Sequence, residues 1–193
     1  MPLALLVRLS LASLSNARLG EEITMATDFI FEEEIEGPRA AALRWWQRGY
    51  EAQMQGRLEE AIGHYTHSIE IYPTAEAYTF RGWARSFQGD LDEAIAECRR
   101  AIEVDPDYGN PYNDIGAYLI QQGNWYDAIP WLEKAFEAKR YECPFFPRFN
   151  LGRVYEKLGD EVRAMKLYKE AYDLNHNYKQ ALQAFRRLQA KLS

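Results

Sequence analysis

Gly56, Gly89, Gly123 and Gly159 recur at intervals of 33, 34 and 36 residues, and other small residues move with them. Gly49, Gly82, Gly116 and Gly152 keep the same intervals, and so do Ala61, Ala94, Ala128 and Ala164. Several marks shifting together at a period near 34 constrain the fold more than any composition does. They indicate an array in which each unit cannot bury its apolar face alone and stacks on its neighbour to do so.

The residues between the marks explain the period. A glycine inside a helix costs about 1 kcal/mol relative to alanine. Four of them at equivalent places are best explained by close helix–helix approach. Ala61, Ala94, Ala128 and Ala164 let a second helix lie against the first at short interaxial distance. Gly56, Gly89, Gly123 and Gly159 fall where a helix ends and a left-handed residue is wanted. Asp90, Asn124 and Asp160 follow at N-capping positions. Pro73 and Pro106 stop the second helix of a unit. These signals predict helix pairs at 39–55 with 58–71, 75–88 with 91–104, 110–122 with 125–139, and 146–158 with 161–174. A last helix over 178–192 places Ala181, Phe185, Leu188 and Leu192 on one face and acts as a cap.

This pattern resembles the tetratricopeptide repeat family over residues 38–193, as four repeats and a capping helix. Trp45, Tyr78 and Tyr112 stand at the family's first aromatic place, where Arg148 departs from it. Tyr65 and Tyr168 hold the later aromatic place, with Cys98 and Leu132 substituting. Arg140 and His176 replace the last two prolines. Arg48 and Arg81 stand where leucine is usual; Arg81 is expected to pair with Glu97, and Arg48 to reach solvent past His64. The resemblance implies an all-α, right-handed superhelical α-solenoid of antiparallel helix pairs whose first helices line a concave groove. Carried over position by position, it implies a partner-binding set of Trp46, Tyr50, Met54, Thr79, Trp83, Phe87, Asn113, Ile120, Phe149 and Arg153. The groove then grades from aromatic to charged. Trp46, Tyr50 and Phe80 stand near the places where some members clamp acidic chaperone tails with lysine and asparagine, and Asp114 adds a repelling charge. That partner is disfavoured.

Residues 1–37 form an extension. Residues 1–14 are apolar but interrupted by Arg8, and too short to span a bilayer. No charge precedes the apolar run, as a secretory signal requires. Met25 offers an alternative start, and the first 24 residues otherwise read as a targeting segment or a genuine extension. Residues 21–36 carry seven acids and no base. Within them Phe29, Ile30, Phe31 and Ile35 alternate with acids, either as a lead-in docked on the first helix or as a tethered ligand for the array's own groove.

Chemistry is sparse. His64 and His67 share a helix face without a third ligand at useful spacing, so no metal site is expected. No phosphate-cradling glycine loop, serine elbow or HExxH is present, and no cofactor or catalytic residue is expected. Cys98 reads as buried, and Cys143 as a loop thiol with no base beside it. The net charge of −6 comes mostly from residues 21–36, and no basic stripe marks a nucleic-acid binder. Phe145 and Phe146, in a connection two residues longer than its counterparts, either plug neighbouring helices or form a contact surface. The expectation is a non-catalytic adaptor or assembly scaffold, taking an apolar peptide or helix in its groove. The alternatives are a homodimer burying the same aromatics, or an envelope- or organelle-associated assembly factor if residues 1–24 are genuine. The cytoplasm is the expected compartment otherwise.

Overall fold

The structure is a computed structural model and describes residues 37–192. Among the described residues the chain forms nine helices and no strands: α1 (Pro38–Met54), α2 (Leu58–Ile71), α3 (Ala75–Phe87), α4 (Leu91–Val104), α5 (Asn110–Gln121), α6 (Trp125–Glu137), α7 (Phe145–Lys157), α8 (Glu161–Leu174) and α9 (Lys179–Leu192). Each helix packs on the next in chain order. The result is an all-α solenoid of four helix pairs, closed at its carboxy-terminal end by α9 lying on α8. The extension over residues 1–36, with its alternative start and targeting readings, lies outside the described residues.

The pairs close where the sequence is small. Ala61, Ala94, Ala128 and Ala164 are all fully buried. A Cβ at Gly116 would stand 2.5 Å from Leu132 Cδ2, and one at Gly152 would stand 2.7 Å from the ring of Tyr168. Gly82 faces Ala94 O and Glu97 Cβ at 3.0 Å, whereas at Gly116 and Gly152, as at Gly49 against Tyr65, the glycine is the socket for a large side chain of the paired helix. This also explains why Leu132 serves as well as tyrosine at that place. The turn between paired helices uses a left-handed glycine, as at Gly89 with φ 86°. Asp90 accepts from Glu93 N at 3.4 Å and Asp160 from Arg163 N at 3.0 Å, the expected caps. Asn124 does not cap; its amide donates instead to Gln122 Oε1 at 3.3 Å. α2 and α4 end at Tyr72 and Asp105, both extended, as the prolines that follow require.

Charge is also used in the packing. Glu97 is fully buried on α4, yet it accepts from Arg81 at 2.9 Å and Arg100 at 2.8 Å, with Arg85 3.7 Å away. The expected Arg81–Glu97 pair is thus part of a carboxylate held by three guanidiniums. Arg48 lies over the Trp45 ring at 4.7 Å, and His64 and His67 pack on the same indole.

The long connection between α6 and α7 is tied back to earlier units. Arg140 stands at the place of the missing proline, and its guanidinium bridges Glu76 at 2.5 Å and Asp105 at 2.6 Å and stacks on Tyr108 at 4.4 Å. Phe145 and Phe146 both pack on Tyr178, at 5.1 and 5.5 Å between rings, and so join α7 to the start of the cap.

Candidate functional site: the concave wall

First helices of neighbouring repeats touch one another directly, α1 with α3, α3 with α5 and α5 with α7, which puts them on the inner side of the stack. At that wall α1 contributes Trp46 and Tyr50, four residues apart and so on one helix face. Their rings stack 5.8 Å apart at 11°. Both meet Phe80 of α3 edge-on, at 5.0 and 5.8 Å. Phe80 continues to Trp83 at 5.7 Å, and Trp83 to Phe87 at 5.5 Å. Five rings therefore form one continuous ladder across two repeats, with Tyr65 beneath it against Phe80. Tyr65 is fixed by its hydroxyl, which donates to Gln53 Oε1 at 2.9 Å.

The ladder is not consumed by packing. Tyr50 keeps 40% of its surface, Met54 51% and Phe87 60%, while Trp46 and Trp83 are half-buried. Phe80, which the sequence set near the acidic-tail clamp places but not in the partner-binding set, is the hub. Beside the ladder a pocket of about 530 Å³ opens between α1 and the α2–α3 junction, lined by Arg39, Ala40, Leu43, Trp46, Thr74 and Glu76.

Two residues expected at the wall are inside the array. Thr79 is buried and its hydroxyl donates to Ala75 O at 2.7 Å, so its side chain is spent on its own helix. Ile120 is buried in the core cluster with Ala128, Leu132, Leu151 and Val154. Neither offers surface to a partner. Asn113 is nearly buried too, but in a polar relay: Asn150 Nδ2 donates to Asn113 Oδ1 at 3.0 Å, and Arg153 donates to Asn150 Oδ1 at 3.2 Å.

The carboxy-terminal half differs in character. Phe149, Arg153, Glu156 and Lys157 of α7 line a second concavity of about 500 Å³ with Trp125, Tyr168 and Arg187. Arg187 of the cap grips Glu156 with two bonds of 2.6 and 2.8 Å, which holds that carboxyl below its ordinary range. Tyr168 also donates to it at 2.9 Å. Arg153 is exposed, and Lys157 lies 5.7 Å from the Trp125 ring centre. Asp114, expected to repel acidic ligands, is half-buried, and burial pushes its carboxyl up to about 7. Its charge is therefore muted at neutral pH. Burial also raises the Cys98 thiol well above its usual range. Among the described residues no three His, Cys, Asp or Glu side chains come together as metal ligands.

Residues 107–176 match a tetratricopeptide repeat family model, and residues 75–108 match a second. Together they span more than half of the 193-residue chain. No curated protein matches the sequence. Among solved structures, the chain is similar to PilF of Pseudomonas aeruginosa, with TM-score 0.76 and 22% identity, over 81% of this chain and 71% of that one. It is similar to PilW, described as a type IV pilus biogenesis factor, with TM-score 0.70 and 18% identity, over 77% and 69%. YrrB, described as a TPR protein with an unusual peptide-binding site, aligns with TM-score 0.61 and 19% identity over 84% and 82%. At these identities the likeness is one of fold.

Proposed function

The chain belongs to the tetratricopeptide repeat family, whose arrays are protein-interaction scaffolds, and from that premise we propose that it is a non-catalytic adaptor that takes an apolar peptide or amphipathic helix on its concave wall. The observation that supports this is the ladder Trp46–Tyr50–Phe80–Trp83–Phe87. A tryptophan or tyrosine held rigid by its neighbours contributes large contact area at little entropic cost, and such residues dominate interface energies. An amphipathic helix laid along a groove presents anchors one turn apart, which suits rings spaced along α1 and α3. The polar half, with Arg153, Lys157 and the Arg187–Glu156 pair, suits a ligand whose far end is hydrophilic or acidic. A peptide-binding site is ascribed to YrrB, of similar fold, and the proposal extends peptide capture to this chain.

Partners are captured from an extract of the native cell on the full chain and on Trp83→Ala, side by side. The reading expects the variant to bind at least tenfold more weakly, or by about 1.4 kcal/mol, with unchanged far-ultraviolet circular dichroism. Undiminished capture by a folded variant overturns it. The rival reading, a homodimer that buries the same rings, predicts a doubled mass by sedimentation velocity that Phe87→Ala reduces.

A further inference from the structure

We propose that the aromatic end of this groove is the docking site of the chain's own residues 28–36, so that the tethered segment competes with any incoming partner; this rests on the groove reading above. The segment reads Asp28-Phe29-Ile30-Phe31-Glu32-Glu33-Glu34-Ile35-Glu36, four large apolar residues among five acids. Its end is fixed beside the pocket: α1 starts at Pro38, and Arg39, Ala40 and Leu43 are already lining residues.

The reach is sufficient. An extended chain covers about 3.3–3.6 Å per residue, so Phe31 extends to roughly 20 Å from Gly37. A helix rises about 1.5 Å per residue, which puts Trp46 roughly 12 Å along α1 from Pro38. Phe29 and Phe31 can therefore reach the Trp46–Phe80 contact without straightening fully. The connection at the tether is specific. Gly37 adopts φ 81° and ψ 161°, a conformation open in practice only to glycine, so the chain turns at the start of α1 rather than running on along its axis.

The receiving surface is complementary in two respects. Leu43, 53% exposed, and the half-buried Trp46 give an apolar wall, and the Trp46 indole N–H has no acceptor among the described residues. A backbone carbonyl or carboxylate of the segment supplies one. At the rim, Arg140 and Glu76 offset one another, which leaves Arg39 as the lining cation that faces the acids of the segment.

A short flexible tether holds its ligand at an effective concentration of about 1 mM. Tenfold competition therefore requires an intrinsic dissociation constant of about 100 µM or tighter. The test titrates a fluorescein-labelled peptide of residues 27–37, read by anisotropy, against the full chain, the Phe29→Ala/Phe31→Ala full chain, and that variant also carrying Leu43→Glu. The expected result is at least tenfold tighter binding to the double variant than to the wild type, lost again with Leu43→Glu. Leu43 is exposed, so the third protein remains folded, which circular dichroism checks. Equal affinity for wild type and double variant, or binding to neither, overturns the inference. Sedimentation velocity of the wild type completes the test, because a doubled mass that the Phe29→Ala/Phe31→Ala change abolishes makes the occupant a second copy and overturns docking within one chain. The groove reading fails separately, through partner capture that is indifferent to Trp83→Ala.

Discussion

The same substitution placed at two helical glycines isolates the close approach on which the array is built. Gly63 sits on the outer side of α2, exposed, and a Cβ there would meet nothing within 4 Å. Gly116 sits in α5, and its Cβ would come within 2.5 Å of Leu132 Cδ2 and 2.6 Å of Cγ. Leu132 is fully buried among Ile120, Ala128, Leu151 and Val154, so displacing it disturbs a filled core. Both changes to alanine gain about 1 kcal/mol of helix propensity. Gly116→Ala adds the overpacking of a filled core, about 1–3 kcal/mol. The propensity gain cancels in the comparison, so the gap between the two variants reads the contact alone, about 1–3 kcal/mol. At about 2–4 °C per kcal/mol for a chain of this size, Gly63→Ala melts above the wild type and Gly116→Ala below Gly63→Ala. Circular dichroism at 222 nm against urea and temperature measures both. Equal shifts, within about 0.5 kcal/mol, refute the socket argument for Gly116 and for Gly49 and Gly152, which meet large side chains in the same way.

Other perturbations probe the charge and the wall. Glu97→Ala leaves Arg81, Arg85 and Arg100 crowded around a site with no anion. It is expected to cost about 3 kcal/mol, since removing one partner of a buried cluster is worse than removing all, and urea unfolding measures it. Asp114 holds its proton to about pH 7 in the folded chain, well above the usual value near 4 of an unfolded aspartate. The unfolded state thus binds fewer protons between about pH 4 and 7, and the wild type loses stability as pH rises through that window. Asp114→Asn removes the penalty, so its advantage over the wild type widens from pH 4 to 7 and then levels; a gap independent of pH contradicts this. Arg187→Ala releases Glu156 from its two-bond grip; it is expected to raise that carboxyl's titration and loosen α9 from the array, seen as faster amide exchange over residues 179–192.

The fold was legible because its signals are local and repeated. The helical glycines, the buried alanines and the turn glycines each have a local physical cause and recur four times, and two proline stops keep the same register. Asn124 shows the limit of a local rule: its Oδ1 accepts no backbone N–H of α6, and its Nδ2 donates to Gln122 Oε1. The site was less legible because exposure is set by the neighbours in space. Thr79 and Ile120 share the helical register of wall residues, yet the first bonds its own backbone and the second fills the core under α6 and α7. Phe80 was overlooked as an anchor for the converse reason. Its importance comes from the rings of α1 that converge on it, and no spacing within α3 announces them. Asp114 carries a formal charge in the sequence, but burial decides whether it carries one in the folded chain.

The central claim, that the concave ring ladder and not exposed apolar surface in general takes the ligand, is tested most directly by comparing two aromatic deletions. Trp83 is half-buried in the ladder, whereas Tyr126 at the start of α6 is 73% exposed and belongs to none of its ring contacts. The affinity of a captured partner is measured by calorimetry for the wild type, Trp83→Ala and Tyr126→Ala. At least a tenfold loss is expected for Trp83→Ala and none for Tyr126→Ala; equal losses, or a loss confined to Tyr126→Ala, rule the ladder out as the binding surface.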